Sequence, residues 1–538
     1  MMAVGMAVLE TAGVASVMPF LSVLGNPGIV ETNPVLAAAY EMGGFASVDA
    51  FLMALGIGAF ALIVTLAIFR AVTLYAIERW SWLRMHSLSE RLLETYLRQP
   101  YAYFLDRHSG DMSRIILTEA QQVTATAILP VLNVLAHGAV LVAIIILLVV
   151  MDPVLATAVT TLIGGGYALI YFVILRFLGR IGQDRVRANA ERFTTAGEAL
   201  GGIKYVKLLG REHVYLSRFE GASARFAKHQ AVSQVLGQAP RFLIEAIGLG
   251  GVIFLTLVLM GANGGLSSGG LGGVLPILGL YVFAGYRMLP AAQRVYQGIT
   301  QLRFGSAAVD TLYEDLHRRA SLAETQKTTA TPMQPEREIA LDRVTYRYPK
   351  ATQPALADIR LTIPVGSSMG LVGSTGAGKT TLVDVILGLL RPTEGKITVD
   401  GQPVTDGNLC AWQAVLGYVP QDIFLIDASV TKNIAFGVDP EQIDAEQVVR
   451  SARMAQVHDF VTNEMPHGYD TIVGERGVRL SGGQRQRIGI ARALYFNPEI
   501  LVFDEATSAL DTVTERAVME SIDALHHQKT IILIAHRL

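Results

Sequence analysis

Apolar residues run through the first part of the chain in blocks long enough to cross a bilayer core, about 20 residues each. Residues 3–24 form the first block; the second begins near Phe51, and its apolar part ends at Arg70. The third, AILPVLNVLAHGAVLVAIIILLVV, is closed by Asp152-Pro153, and the fourth starts at Val154 and ends near Leu178. Residues 242–260 make the fifth, and the sixth starts near Val274 and contains YVFAGYRMLPAAQR, residues 281–294. The connections after the second and fourth blocks mix apolar and basic residues at helical spacing, as in IERWSWLRMHSLSERLLETYLRQ. They predict helices that continue well past the bilayer and turn at PYAYFLDRHSGD and LLGREHVYLSRF. Both readings of these turns stand here, a solvated surface or a contact that transmits motion to a soluble domain. Residues 317–337 are polar, lack apolar periodicity and read as a linker. The pattern therefore predicts an α-helical membrane domain of six transmembrane helices over residues 1–316, followed by an α/β domain over residues 338–538.

Composition agrees with this division. The chain of 538 residues is 51% hydrophobic and 17% charged, with a mean hydropathy of +0.40. A net charge of -2 gives no reason to expect a nucleic-acid partner, and none is expected. Cys410 is the only cysteine, so an intrachain disulfide is excluded. The N-terminus has no basic segment ahead of its apolar run, which reads as a membrane helix rather than a signal peptide. No Lys or Arg precedes Arg70, and none occurs in 26–50, 151–153 or 261–273. The connections from Arg79 to Arg114 and from Arg180 to Lys228 are rich in them, which places those connections and both termini in the cytoplasm.

The second half carries a phosphate-loop pattern. GSTGAGKT spans Gly373, Ser374, Thr375, Gly376, Ala377, Gly378, Lys379 and Thr380, with Thr381 next; a short apolar strand precedes it and TLVDVILGLL follows as a helix. Glycines let backbone N–H groups turn around phosphates, and the helix N-terminus favours the anion. Lys379 is expected to reach the β/γ-phosphates and Thr380 to offer its hydroxyl to Mg²⁺. ILVFDE is an apolar strand ending in Asp504, expected to help hold Mg²⁺, and Glu505, expected to activate the attacking water. VPQD and LSGGQRQR lie between these motifs, and SALD and IILIAHR follow them.

This ordered set resembles the ATP-binding cassette (ABC) transporters, and with six spans in front the resemblance covers nearly the whole chain. It implies ATP and Mg²⁺ as cofactors. It implies that Tyr348 stacks on adenine, that Gln421 touches Mg²⁺, and that Ser481, Gly482, Gly483 and Gln484 contact the γ-phosphate held by a second subunit. It further implies that Asp511 lies at the dimer interface, that His536 senses the γ-phosphate, and that VGERG, from Val473, meets the cytoplasmic turns. One cassette per chain requires a dimer; a homodimer is expected, with a heterodimer left open. Family members of this type begin with an elbow helix and continue beyond the switch histidine, whereas this sequence stops two residues after His536, so a trimmed C-terminus is expected.

The cargo is read from arginines. Arg70 and Arg241 lie at the inner ends of spans two and five, and Arg287 lies deeper in span six, about 20 Å from its outer end. Arginine at membrane depth is costly and marks a functional site by default. Three guanidiniums converging near the inner leaflet would suit a phosphate or pyrophosphate headgroup. Against this, Arg70 and Arg241 occupy positions where arginine snorkels, Glu245 sits one turn from Arg241, and Glu10 is available to another. VMPFLSVLGNP, IKYVKLLGREHVYLSRF and YRMLP are similar to PglK-type flippases of lipid-linked oligosaccharides. The expected function is ATP-driven flipping of an anionic glycolipid across a bacterial inner membrane. An exporter of amphipathic drugs, lipids or peptides is the second reading, and a non-transporting ATP-regulated subunit the third.

Overall fold

The structure, a computed structural model, describes residues 2–105, 107, 109–151, 153–262, 271–317, 331–474, 477–504, 516, 520 and 529–534. The chain divides into two compact units, Met1–Gln99 with Arg107–Leu322 and Pro100–Asp106 with Ala323–Leu538. Residues 318–330 of the expected linker lie outside the described residues. From residue 331 the chain is already tied to the second unit, where the Met333 N–H donates to the Ala411 carbonyl.

Among the described residues six long helices build the first unit: α1 (Met2–Gly25), α2 (Val48–Leu97), α3 (Gly110–Met151), α4 (Pro153–Gly201), α5 (Glu212–Ala262) and α6 (Leu271–His317). Among the described residues α1, α2 and α3 are long and apolar enough to cross a membrane, and a fourth is if the bent pair Gly164–Val173 and Arg176–Gly201 counts as one span. The 50 residues of α2 extend about 75 Å at 1.5 Å per residue, more than twice a bilayer core. On α3 the buried Ala136, Val140, Ile144 and Leu148 recur every four residues and so share one face. That face meets Met6 and Val14 of α1 and Ala284, Met288 and Ala291 of α6 in one apolar core.

The turns depart from their sequence pattern in detail. Residues 26–47, expected only as a connection, contain helices Ile29–Thr32 and Pro34–Met42. Asn33 caps the second by accepting from the N–H groups of Val35 and Leu36, and Pro34 occupies its first position. Val30 and Leu36 are buried there with Phe51. At the turn between α4 and α5 a helix, Ile203–Leu209, is stopped by Gly210 in the left-handed conformation.

Within α3 two π-helical turns, Ile115–Glu119 and Thr124–Ile128, widen the helix. The first ends on Glu119, fully buried, whose carboxylate accepts from Arg114 Nη1 at 3.0 Å, Arg185 Nη2 at 3.1 Å and Asn189 Nδ2 at 3.1 Å. One carboxylate thus ties α3 to α4. Close by in sequence, α4 touches α6 backbone to backbone, because a Cβ at Gly182 would lie 2.2 Å from the Phe304 carbonyl oxygen.

Among the described residues the second unit has two sheets. β1 (Glu338–Tyr346), β2 (Leu356–Pro364), β4 (Glu394–Val399) and β5 (Gln402–Pro403) are antiparallel in the order β2-β1-β4-β5. β3 (Ser368–Leu371), β6 (Leu416–Val419), β7 (Ile500–Asp504) and β8 (Thr530–Ile534) are parallel in the order β3-β8-β7-β6. β7 and β8 are buried almost throughout, as their unbroken apolar sequences require of central parallel strands.

Two stability predictions follow from these contacts. Glu119→Ala leaves two guanidiniums without their shared counter-ion and should cost about 3–5 kcal/mol; a thermal unfolding midpoint in detergent equal to the parent's would contradict this. Gly182→Ala should destabilise by about 1–3 kcal/mol through overpacking. Gly197→Ala, on the same helix with open space around it, should not lower the midpoint in the same assay.

Candidate functional site

Parallel pairing brings the motif residues to one edge. Leu371 of β3, Ile534 of β8 and Asp504 of β7 stand in one register row. With strands about 4.8 Å apart, the loop leaving β3 starts roughly 10 Å from Asp504 across that row. The loops after β3 and β6 leave from the carboxyl ends of parallel strands, where open α/β sheets bind ligands.

Residues 372–378 turn from β3 into α7 (Lys379–Ile386). Gly376 and Gly378 hold φ of +84° and +87°, a region side chains avoid. A Cβ at Gly378 would also lie 2.8 Å from the Ala355 carbonyl oxygen. Gly373, Ser374, Thr375, Gly376, Ala377 and Thr380 are exposed, and Lys379 Nζ turns into the loop to donate to the carbonyls of Gly373 and Ser374 at 2.7 and 3.0 Å. This cradle fits a phosphate chain: its concave side is lined by backbone, the helix starts against it, and a lysine points inward. Tyr348 is half-buried, with its ring edge-on to Tyr346 and its hydroxyl 3.1 Å from Thr381 Oγ1 on α7. The phosphate loop and Tyr348 therefore meet at the start of α7.

Asp504 is buried at the end of β7, with Asp384 of α7 and Tyr418 of β6 beside it. Burial and the Asp504 charge push the Asp384 carboxyl up to about 6. Burial and both carboxylates hold the Tyr418 hydroxyl far above its ordinary range. Tyr101, in the short helix Tyr101–Leu105, is raised by burial and by Asp384 and Tyr348, and its neighbour Ala102 packs on the core of the second unit. Sequence reasoning missed Asp384, Tyr418 and Tyr101; the signals were a carboxylate inside the helix after the phosphate loop, a tyrosine one residue before VPQD, and the aromatic pair in PYAYF. Gln421 is exposed just after β6. Ser481 caps α8 (Gly482–Tyr495) in a reciprocal capping box with Gln484, while Gly482 and Gly483 occupy its first turn. The N-terminus of α8 is thereby fixed, with its first N–H groups directed outward. Glu505, Asp511 and His536 lie outside the described residues, as do Glu475 and Arg476 of VGERG.

In the first unit Glu10 of α1 stands between Arg70 of α2 and Arg287 of α6. Its Oε1 is 3.1 Å from Arg70 Nε and its Oε2 3.4 Å from Arg287 Nη1. Arg287 also lies over the rings of Phe283 and Tyr286, at 5.5 and 5.9 Å. Arg241 does not share this carboxylate; it pairs with Glu245 on its own helix at 2.6 Å. Elsewhere in this unit a cavity of about 400 Å³ is lined by Ile145, Tyr167, Tyr171, Phe172, Met288 and Tyr296, among others.

Comparison with known proteins agrees with both halves. The family described as "ABC transporter transmembrane region" matches residues 6–276, and "ABC transporter" matches residues 356–508. An ATP-dependent lipid A-core flippase of Alkalilimnicola ehrlichii is 31% identical over 494 residues, covering 89% of this chain and 80% of that protein. One from Yersinia pestis is 32% identical over 458 residues, 84% of this chain and 76% of its own. ATP-binding cassette sub-family B member 10, mitochondrial, of Mus musculus is 31% identical over 458 residues, 84% of this chain and 63% of its own. In fold, the chain is similar to a bacterial Atm1-family ABC exporter solved with ATP bound, with a TM-score of 0.79, 24% identity, and coverage of 99% of this chain and 90% of that one. A helical membrane region followed by an ATPase cassette, matched along nearly the whole length, makes this chain a member of the ABC transporters.

Proposed function

We propose that the protein is an ATP-driven flippase that moves an anionic, pyrophosphate-linked glycolipid or oligosaccharide lipid from the cytoplasmic to the outer leaflet. Its membrane helices occupy residues 1–316 and its cassette residues 338–538. Both termini and the cassette face the cytoplasm of a bacterial inner membrane, as the distribution of Lys and Arg supports. The observation that carries the cargo is the cluster around Glu10, where two guanidiniums face one carboxylate and leave a net positive charge. Such a cluster favours a phosphate group over a neutral one. The narrower likeness to PglK-type flippases belongs to this proposal, and the lipid A-core flippases among the relatives support a lipid cargo.

Hydrolysis would take place between two copies of the chain. Tyr348 stacks on adenine, the loop from Gly373 to Thr381 wraps the phosphates, and Lys379 leaves its two loop carbonyls to neutralise them. Thr380, Asp504 and Gln421 would hold Mg²⁺, which supplies charge stabilisation at the phosphates. Glu505 orients the attacking water and accepts its proton, and His536 donates to the γ-phosphate. Ser481, Gly482, Gly483 and Gln484 of one copy close on the phosphate loop of the other, with Asp511 at the interface. A heterodimer with a related chain would work in the same way.

A second reading, export of amphipathic drugs, lipids or peptides, is favoured by the aromatic-lined cavity near Tyr167 and Tyr296. It predicts that loss of Arg287 is tolerated.

Glu505→Gln should reduce steady ATP hydrolysis by at least about 100-fold, the scale of losing a general base, while ATP binding persists; undiminished turnover would remove the assignment. In proteoliposomes, a pyrophosphate-linked isoprenoid should stimulate ATPase more than a neutral isoprenol. Arg287→Ala should lower that stimulation more than it lowers lipid-free hydrolysis. Equal stimulation of parent and variant would favour the second reading.

A further inference from the structure

We propose that Glu10 is the resident counter-ion of the arginine cluster, and that the cargo headgroup enters by displacing its carboxylate from Arg287. The idea rests on the cargo reading above and adds the residue that sets the site's threshold for charge. Glu10 has 4% of its side chain exposed and Arg287 has 12%, so both ions are held out of water. Their contact is nevertheless weak in geometry. At 3.4 Å it is an ion pair, and neither Glu10 Oε2 nor Arg287 Nε has a hydrogen-bond partner. Buried polar groups left so are costly, and a guanidinium fork is satisfied by two parallel acceptors rather than one distant oxygen. A phosphoryl group offers those acceptors. Arg70, 42% exposed, leaves the cluster open on one side.

The cluster at Glu119 shows what a closed version of the same composition looks like. There too one carboxylate serves two arginines, but it accepts three hydrogen bonds at 3.0–3.1 Å, and Glu119 and Arg185 are almost wholly buried. The Glu119 carboxylate is satisfied at both oxygens, although Arg114 Nε and Arg185 Nε and Nη1 lack a hydrogen-bond partner there as Arg287 Nε does at Glu10. At Glu10 a carboxylate oxygen too is left without a hydrogen bond, and the cluster is reached from outside through Arg70.

Displacement sets a rule for selection. Two guanidiniums and one carboxylate leave one net positive charge, and an entering group has to attract Arg287 more strongly than a single carboxylate does. Phosphate monoesters and pyrophosphates carry about two or more negative charges near neutrality and meet that condition. Phosphodiester headgroups of bulk phospholipids carry one and do not. Glu10 would thus lower the affinity of every anionic headgroup by the same factor, which leaves the singly charged ones too weak to occupy the site and the more highly charged cargo still bound.

The test is equilibrium binding to the full chain in phosphatidylcholine nanodiscs. The probes are farnesyl pyrophosphate, farnesol, inorganic pyrophosphate and phosphatidylglycerol. The parent should bind farnesyl pyrophosphate in preference to phosphatidylglycerol and farnesol. Glu10→Gln should strengthen binding of both farnesyl pyrophosphate and phosphatidylglycerol by about tenfold, the scale of one lost ion contact, and leave farnesol unchanged. Arg287→Ala should weaken farnesyl pyrophosphate. If Glu10→Gln leaves the affinities for both anionic lipids unchanged while Arg287→Ala still weakens binding, the counter-ion role is overturned and the cargo reading survives. If Arg287→Ala has no effect, both fall. Inorganic pyrophosphate binding as tightly as its farnesyl ester would assign the site to a free anion and overturn the lipid version. Should Glu10→Gln fail to fold, Glu10→Asp retains the charge on a shorter arm and should strengthen binding of both anionic lipids; parent-like affinities in that variant overturn the proposal.

Discussion

A charge inside the thickness of a bilayer has to be answered by another charge, and much of the helical unit is arranged around that requirement. Glu10 is the answer in this unit, drawing α1, α2 and α6 to one point. The apolar core of α1, α3 and α6 packs around the same helices, with Met6 and Val14 flanking Glu10 in sequence and Met288 next to Arg287. Farther along the extended helices Glu119 plays the corresponding part between α3 and α4, with its carboxylate buried and hydrogen-bonded at both oxygens. One cluster is built as a fastening and the other as a site with capacity to spare.

The cassette obeys a different constraint. Parallel strands deliver their loops to a common edge, so the phosphate loop, Asp504 and Gln421 are assembled by topology rather than by proximity in sequence. Residues 100–106 belong to the same compact unit although they lie in the chain between α2 and α3. Tyr101 sits among Tyr348, Asp384 and Tyr418, groups on or beside the helix that starts at the phosphate loop. Tyr101 thus lies in a segment that belongs to the second unit while being covalently joined to α2 and α3.

Much of this was legible in the sequence because its signals are strong and local. Apolar blocks of bilayer length, the bias of Lys and Arg, and a glycine-rich loop between strand and helix each have one physical meaning. The helices at Ile29–Thr32 and Pro34–Met42 were not read, since four and nine residues carry too little periodicity, although Asn33-Pro34 is a cap signal in retrospect. Arg241 was grouped with Arg70 and Arg287 because depth can be counted along a helix while azimuth between helices cannot; its salt bridge to Glu245 is local, and the Glu10 cluster is not. Asp384 and Tyr418 escaped for the same reason, being brought to Asp504 by strand order alone.

The central claim, that ATP hydrolysis drives an anionic lipid across the membrane, is tested most directly by reconstitution. A fluorescent pyrophosphate-linked isoprenoid would be placed in the leaflet facing the cassette of proteoliposomes, and its arrival in the other leaflet followed by loss of protection from a membrane-impermeant quencher. The account predicts translocation that requires ATP and is faster than that of a neutral isoprenol. Movement that is independent of ATP, or equal for the two lipids, would contradict it.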